Sequence, residues 1–96
     1  AWHLLRESVD GLMDRSLDSA DVVRARRVLE TFHARGVAFT DLRTRRAGAS
    51  AFLQVVVLVP GDWTVRDGHA LLDEIEAAVV AELPGIDVTT HLEPLP

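Results

Sequence analysis

The sequence predicts an α+β domain of two layers, two helices on one face of a three-stranded sheet, in the order αββαβ after an initial helical segment. Three observations carry this expectation. Apolar residues recur at three- and four-residue spacing over 20–34 and 65–83, the period of a helix with one buried face. Two strand-like runs, 37–46 and 51–59, are separated only by Ala47-Gly48-Ala49-Ser50, a connection of hairpin length. A last strand-like run begins directly after Pro84-Gly85, the pair that stops the preceding helix.

The elements follow in order. Over 2–17, Leu4, Leu5, Val9, Leu12 and Met13 line one side of a helical pattern, with Arg6, Glu7, Asp10, Asp14 and Arg15 on the other. A helix of that length is marginal in water without a surface to pack on. Leu17-Asp18-Ser19-Ala20-Asp21 breaks it, and Asp18 or Ser19 is the expected N-cap of the next helix. That helix, 20–34, turns Val22, Ala25, Val28, Leu29 and Phe32 inward and ends at Gly36. In the strand 37–46, strict alternation puts Val37, Phe39 and the other odd positions on one face. Ala38, Thr40, Leu42 and Thr44 fall on the other. The return strand 51–59 is apolar at nearly every position, so one face should meet the helices and the other needs a cover of its own. Pro60-Gly61-Asp62 turns the chain, and Thr64 with Asp67 has capping-box spacing, Asp replacing the usual Glu or Gln. The helix 65–83 points Leu71, Leu72, Ile75, Ala78, Val79 and Leu83 inward, and the strand 86–92 completes the order.

With 96 residues this is one small domain, which buries only about 60–65% of its unfolded surface. Yet 48% of its residues are hydrophobic and only 5% aromatic. So much aliphatic surface on so small a body predicts that a partner subunit covers part of it. There are no cysteines, so disulfides, thiolate-bound zinc and cysteine nucleophiles are excluded, and any metal must be held by His, Asp and Glu. The net charge of −5 argues against nucleic-acid binding. No nucleophile–base constellation and no glycine-rich phosphate loop is visible, so neither an enzyme nor a small-molecule substrate is expected. The longest apolar run, Phe52 to Pro60, has strand length and contains Gln54, well short of the ~20 residues of a membrane span. No signal-peptide pattern is present. The chain opens at Ala1-Trp2-His3-Leu4-Leu5, inside a helical pattern, which predicts a fragment of a longer protein.

The chemistry-bearing feature is His91-Leu92-Glu93, at the end of Ile86-Asp87-Val88-Thr89-Thr90. In a strand, residues two apart share a face, so His91 and Glu93 would project together as a nitrogen and an oxygen donor. That is half of a divalent-metal site, or, read plainly, a polar strand terminus.

Four anchors, in order and near-equally spaced, extend over nearly the whole chain. They are Leu12-Met13-Asp14-Arg15-Ser16-Leu17; Asp41-Leu42-Arg43-Thr44-Arg45 followed by Gly48; Phe52-Leu53-Gln54-Val55; and Leu83-Pro84-Gly85-Ile86-Asp87-Val88-Thr89-Thr90-His91-Leu92-Glu93-Pro94. Together they resemble the cytoplasmic C-terminal domain of cation diffusion facilitator transporters. That resemblance implies a metallochaperone-like, ferredoxin-like, open-faced αββαβ sandwich, with residues 1–17 leading in from a membrane part and 18–96 forming a regulatory dimerisation domain. It implies a divalent metal/proton antiporter as the whole protein, integral to a membrane (a bacterial inner membrane), with this domain on the cytoplasmic face. The expected partners are a second copy, in a V-shaped homodimer, and the protein's own transmembrane domain. Metal held between protomers would tighten the V and favour transport.

The resemblance also implies roles for single residues. Five positions bind metal in zinc-binding relatives. Thr40 and Val56 stand where two of the histidines do, and neither is a good ligand. His69, His91 and Glu93 stand at the other three. The implication is not a dinuclear zinc centre but one site shared across the dimer, His69 of one protomer approaching His91 and Glu93 of the other. Asp41 is a fourth candidate: some relatives place a ligand there, near the two-fold axis, and its plain reading is an exposed strand residue. The expected cofactor is a divalent transition metal, zinc first, with Mn²⁺, Fe²⁺, Co²⁺ or Cd²⁺ suited to the same donors, and a domain with no metal bound as the alternative. Two protomers of net charge −5 repel, and a bridging cation would remove that repulsion locally; it must bind the closed form better than the open one to shift anything. Histidine binds metal only when neutral, so affinity should weaken below about pH 6.5.

The remaining notable residues have plainer expectations. His3 and His33 face solvent, Trp63 packs over a helix start, and Arg43, Arg45 and Arg46 form a solvated hairpin edge that discourages aggregation. By the resemblance Trp2 lies near the membrane surface, and Asp14 matches an acidic residue that pairs with a membrane-domain lysine. Three functions therefore compete: a metal-sensing dimer domain, a dimerisation scaffold that has lost sensing with Thr40 and Val56, and a stand-alone metal-carrier domain, which the N-terminal helical segment disfavours.

Overall fold

The structure, a computed structural model, describes residues 17–96. The expected helix over 2–17, with Trp2, His3 and Asp14, lies outside the described residues except for Leu17. From there the elements are α1 (Ser19–Glu30), a 3₁₀ turn (His33–Arg35), β1 (Ala38–Ala47), β2 (Ser50–Val59), α2 (Val65–Glu82) and β3 (Ile86–Pro94). The sheet order is β1-β2-β3, with β1 antiparallel and β3 parallel to the central β2. This is the expected αββαβ sandwich, and the layer assignment follows from burial. Leu53, Val55, Val57 and Val59 alternate along β2 and are buried, in one cluster with Ala25 and Leu29 of α1 and Leu71, Ile75 and Val79 of α2. Both helices therefore cover the same face. The intervening residues of β2 that face the other way, Phe52, Val56 and Leu58, are only half-buried, so that face is open. Among the described residues no helix is long and apolar enough to cross a membrane.

α1 is shorter than its apolar periodicity suggests. After Glu30 the backbone bonds tighten: the Thr31 and Phe32 N–H groups donate three residues back to Val28 and Leu29, and the Thr31 hydroxyl also donates to the Val28 carbonyl at 2.6 Å. The chain then passes through the 3₁₀ turn to Gly36, whose φ of 80° reverses it into β1. Asp18 occupies the N-cap of α1 without a side-chain bond. At α2 the expected cap is made, the Thr64 hydroxyl accepting from the Asp67 N–H at 3.0 Å. His33 is exposed, its ring against Phe39, and Trp63 packs against the core.

β1 corrects the expected alternation. Thr40 pairs with Val56 and Arg43 with Gln54, so Asp41 and Leu42 together oppose Val55. This is a β-bulge, and Asp41 makes it with φ 54°. Beyond it the faces exchange: Leu42 and Thr44 join Phe39 on the helix side, while Arg43 and Arg45 turn to the open face. Arg45 is not simply solvated, because its guanidinium lies 4.5 Å from the Phe52 ring centre. Arg46 is half-buried.

Candidate metal site

The parallel pairing of β3 with β2 determines what surrounds the strand-end donors. His91 sits beside Val56, which in turn pairs with Thr40, so Thr40, Val56 and His91 form one row across the sheet. Glu93 lies one row further on, beside Leu58. His91 and Glu93 are both exposed and share the open face, as their spacing predicts. They project from an edge strand, since β3 pairs only with β2 among the described strands.

His69 lies in the second turn of α2, in the helix layer. Its height in the molecule is fixed by its neighbour: a Cβ on Gly68 would collide with the side chain of Leu92, the residue between His91 and Glu93. The sheet thus separates His69 from the other two donors, although all three lie at one end of the domain. His69 also has a partner that the sequence reading does not include: Asp73, one turn later, whose Oδ2 is 3.8 Å from His69 Nε2. The i,i+4 spacing of His and Asp on an exposed helix face was the available signal. Both side chains are largely exposed, so the pair itself contributes little stability. Asp41 is exposed on β1, two strands from His91, a lateral distance of about 10 Å. Among the described residues no group of three or more His, Asp or Glu is close enough to hold an ion within one protomer. Among the described residues one copy therefore presents two separate donor pairs, His91 with Glu93 on the sheet and His69 with Asp73 on the helix.

The close approach of α2 to β3 gives a direct test of this geometry. Gly68 is buried, and Gly68→Val should cost about 1–3 kcal/mol by overpacking against Leu92. Denaturant midpoints should fall, and adding Leu92→Ala should recover part of the loss through a favourable coupling. Additive effects of the two substitutions would contradict the contact.

Comparison with known proteins places this geometry in a context. A family model described as the cytoplasmic domain of cation efflux proteins matches residues 17–95. An uncharacterized transporter, sll1263 of Synechocystis, is 46% identical over 93 residues, covering 97% of this chain and 30% of the relative. The chain thus spans about three-tenths of that relative's length. The solved structure of CzrB, described as a zinc transporter, superposes with a TM-score of 0.77 at 38% identity, covering 83% of this chain and 99% of CzrB's chain. The metal-bound C-terminal domain of the CzcD transporter from Thermotoga maritima superposes with a TM-score of 0.71 at 31% identity, covering 78% and 87%.

Proposed function

We propose a function from one premise: this chain belongs to the family of cation efflux protein cytoplasmic domains. It serves as the regulatory and dimerisation domain of a divalent metal cation/proton antiporter, at the cytoplasmic face of the membrane. Residues 1–17 lead in from the transporter's membrane part, and 18–96 pair with a second copy and respond to metal between the two. The observation that carries this reading is the shared exposure of His91 and Glu93 at the end of the open face, with His69 at the same end. Among the described residues each copy holds two incomplete donor pairs, and a second copy can supply the other half of a coordination sphere. Zinc suits mixed imidazole and carboxylate donors, and one of the similar solved structures, of CzrB, is a Zn form. The open face supplies the contact, because Phe52, Val56 and Leu58 leave apolar surface that a second copy would cover.

A second reading has its own observation. Thr40 and Val56 stand in the row of His91, where ligands would have to converge from neighbouring strands. A domain with that row emptied of ligands acts as a dimerisation scaffold alone. Calorimetric titration of Zn²⁺ at about pH 7.5, where histidine is neutral, separates the two. The native chain should bind saturably and a His91→Ala/Glu93→Ala variant should not. No binding, or binding unchanged in the variant, would leave the scaffold.

A further inference from the structure

Alternation along β3 divides its residues between two tasks. Ile86, Val88, Thr90 and Leu92 turn toward the helix layer, while Asp87, Thr89, His91 and Glu93 are exposed on the other side. The two inward residues nearest the donors are both tied to α2. The Thr90 hydroxyl donates to Glu76 Oε2 at 2.7 Å, in a partly buried bond. The Leu92 side chain lies against Gly68, where a Cβ would collide with it. Anchors and donors therefore alternate as Thr90, His91, Leu92 and Glu93. Whatever holds residues 90 and 92 also sets the position of 91 and 93.

The polar anchor departs from the core pattern around it. Glu76 is half-buried, next to the fully buried Ile75, and Thr90 stands in a row whose other members are Ile86, Val88 and Leu92. A carboxylate drawn partly out of water is costly unless a donor meets it. An apolar pair of similar shape would fill these two positions with little or no loss of stability. What the hydrogen bond adds is direction, since it weakens steeply as its donor and acceptor move out of line. β3 has need of that, because it pairs only with β2 among the described strands and its outer edge has no ladder. We propose that Glu76 is a positioning residue for the candidate metal site, holding the donors His91 and Glu93 in place through Thr90. This role rests on the reading of His91 and Glu93 as metal donors. α2 also carries His69 and Asp73, so the bond ties the two donor pairs of one copy into a single unit. An ion shared between copies then meets donors whose positions are already set.

Three variants of the chain test this role. Thr90→Val removes the hydroxyl and keeps the shape, Glu76→Ala removes the acceptor, and Glu76→Gln keeps an acceptor oxygen. Without metal, amide hydrogen exchange over 86–94, relative to 51–59, should speed up about tenfold in the first two and stay near native in the third. In calorimetric titration with Zn²⁺ the first two should bind about tenfold more weakly, and Glu76→Gln within about twofold of the native chain. The double variant Thr90→Val/Glu76→Ala should lose no more than either single one, because each removes the same bond. Val79→Ala is the control, fully buried on the same helix: it should lower the denaturant midpoint and leave Zn²⁺ affinity unchanged. Native affinity in Thr90→Val and Glu76→Ala, or an equal loss in Val79→Ala, would overturn the role of Glu76 alone. Unchanged exchange in those two variants would overturn it as well. No Zn²⁺ binding by the native chain would overturn the donor reading and the role of Glu76 with it.

Discussion

A Thr40→His/Val56→His variant should bind Zn²⁺ about a hundredfold more tightly than the native chain, a gain of about 2.7 kcal/mol. The register is the reason. Thr40, Val56 and His91 are successive partners across β1, β2 and β3, and neighbouring strands lie about 4.8 Å apart. Three imidazoles in that row would project from the same face, with the Glu93 carboxylate one row away. A zinc ion accepts such a set, at about 2.1 Å from each nitrogen. The cost of the substitutions is small, because Thr40 is exposed and Val56 half-buried on the open face. The gain should vanish when His91→Ala is added, since the row then loses its β3 member. Unchanged affinity, or a gain that survives His91→Ala, would mean that the row does not converge on an ion. The same variant separates two roles of the native residues. Val56 contributes apolar cover to the open face, so the histidine variant should dimerise less well without zinc and recover with it.

Much of this architecture can be read from residue order, and the places where reading stops have physical causes. The nearly unbroken apolar run of β2 announces a central strand, and the structure buries Leu53, Val55, Val57 and Val59 on one side while leaving Phe52, Val56 and Leu58 on the other. The Thr64 cap and the hairpin were equally legible, because each depends on residues within a few positions. The bulge breaks the alternation expected of an unbroken strand. Phe39 and Leu42 are three apart, and both pack against the core; a strand allows that only with an inserted residue. Asp41 between them is one of the few residue types that accept a left-handed backbone. At the candidate site, the shared face of His91 and Glu93 followed from period two. That β3 brings His91 beside Val56, in one row with Thr40, did not, because alternation specifies a face and leaves the register open. The separation of His69 from His91 by the sheet is likewise a property of layering, which depends on the whole core and not on any local pattern.

That core should be sensitive to single deletions, and Ile75→Ala is expected to lose about 2–5 kcal/mol. Ile75 lies in the middle of α2, is fully buried, and belongs to the cluster that joins both helices to β2. A body of this size has a total stability on the order of 5–14 kcal/mol, so one cavity removes a large share. Val80, on the same helix and 41% exposed, is the comparison: Val80→Ala should change stability by less than about 0.5 kcal/mol. Denaturant midpoints at fixed protein concentration measure both, and similar losses for the two would contradict the assigned helix face. The variant also bears on the proposed dimer. If a second copy covers the open face, association stabilises only the folded form, so the Ile75→Ala midpoint should rise with protein concentration. A concentration-independent midpoint would mean that folding is not coupled to association of two copies.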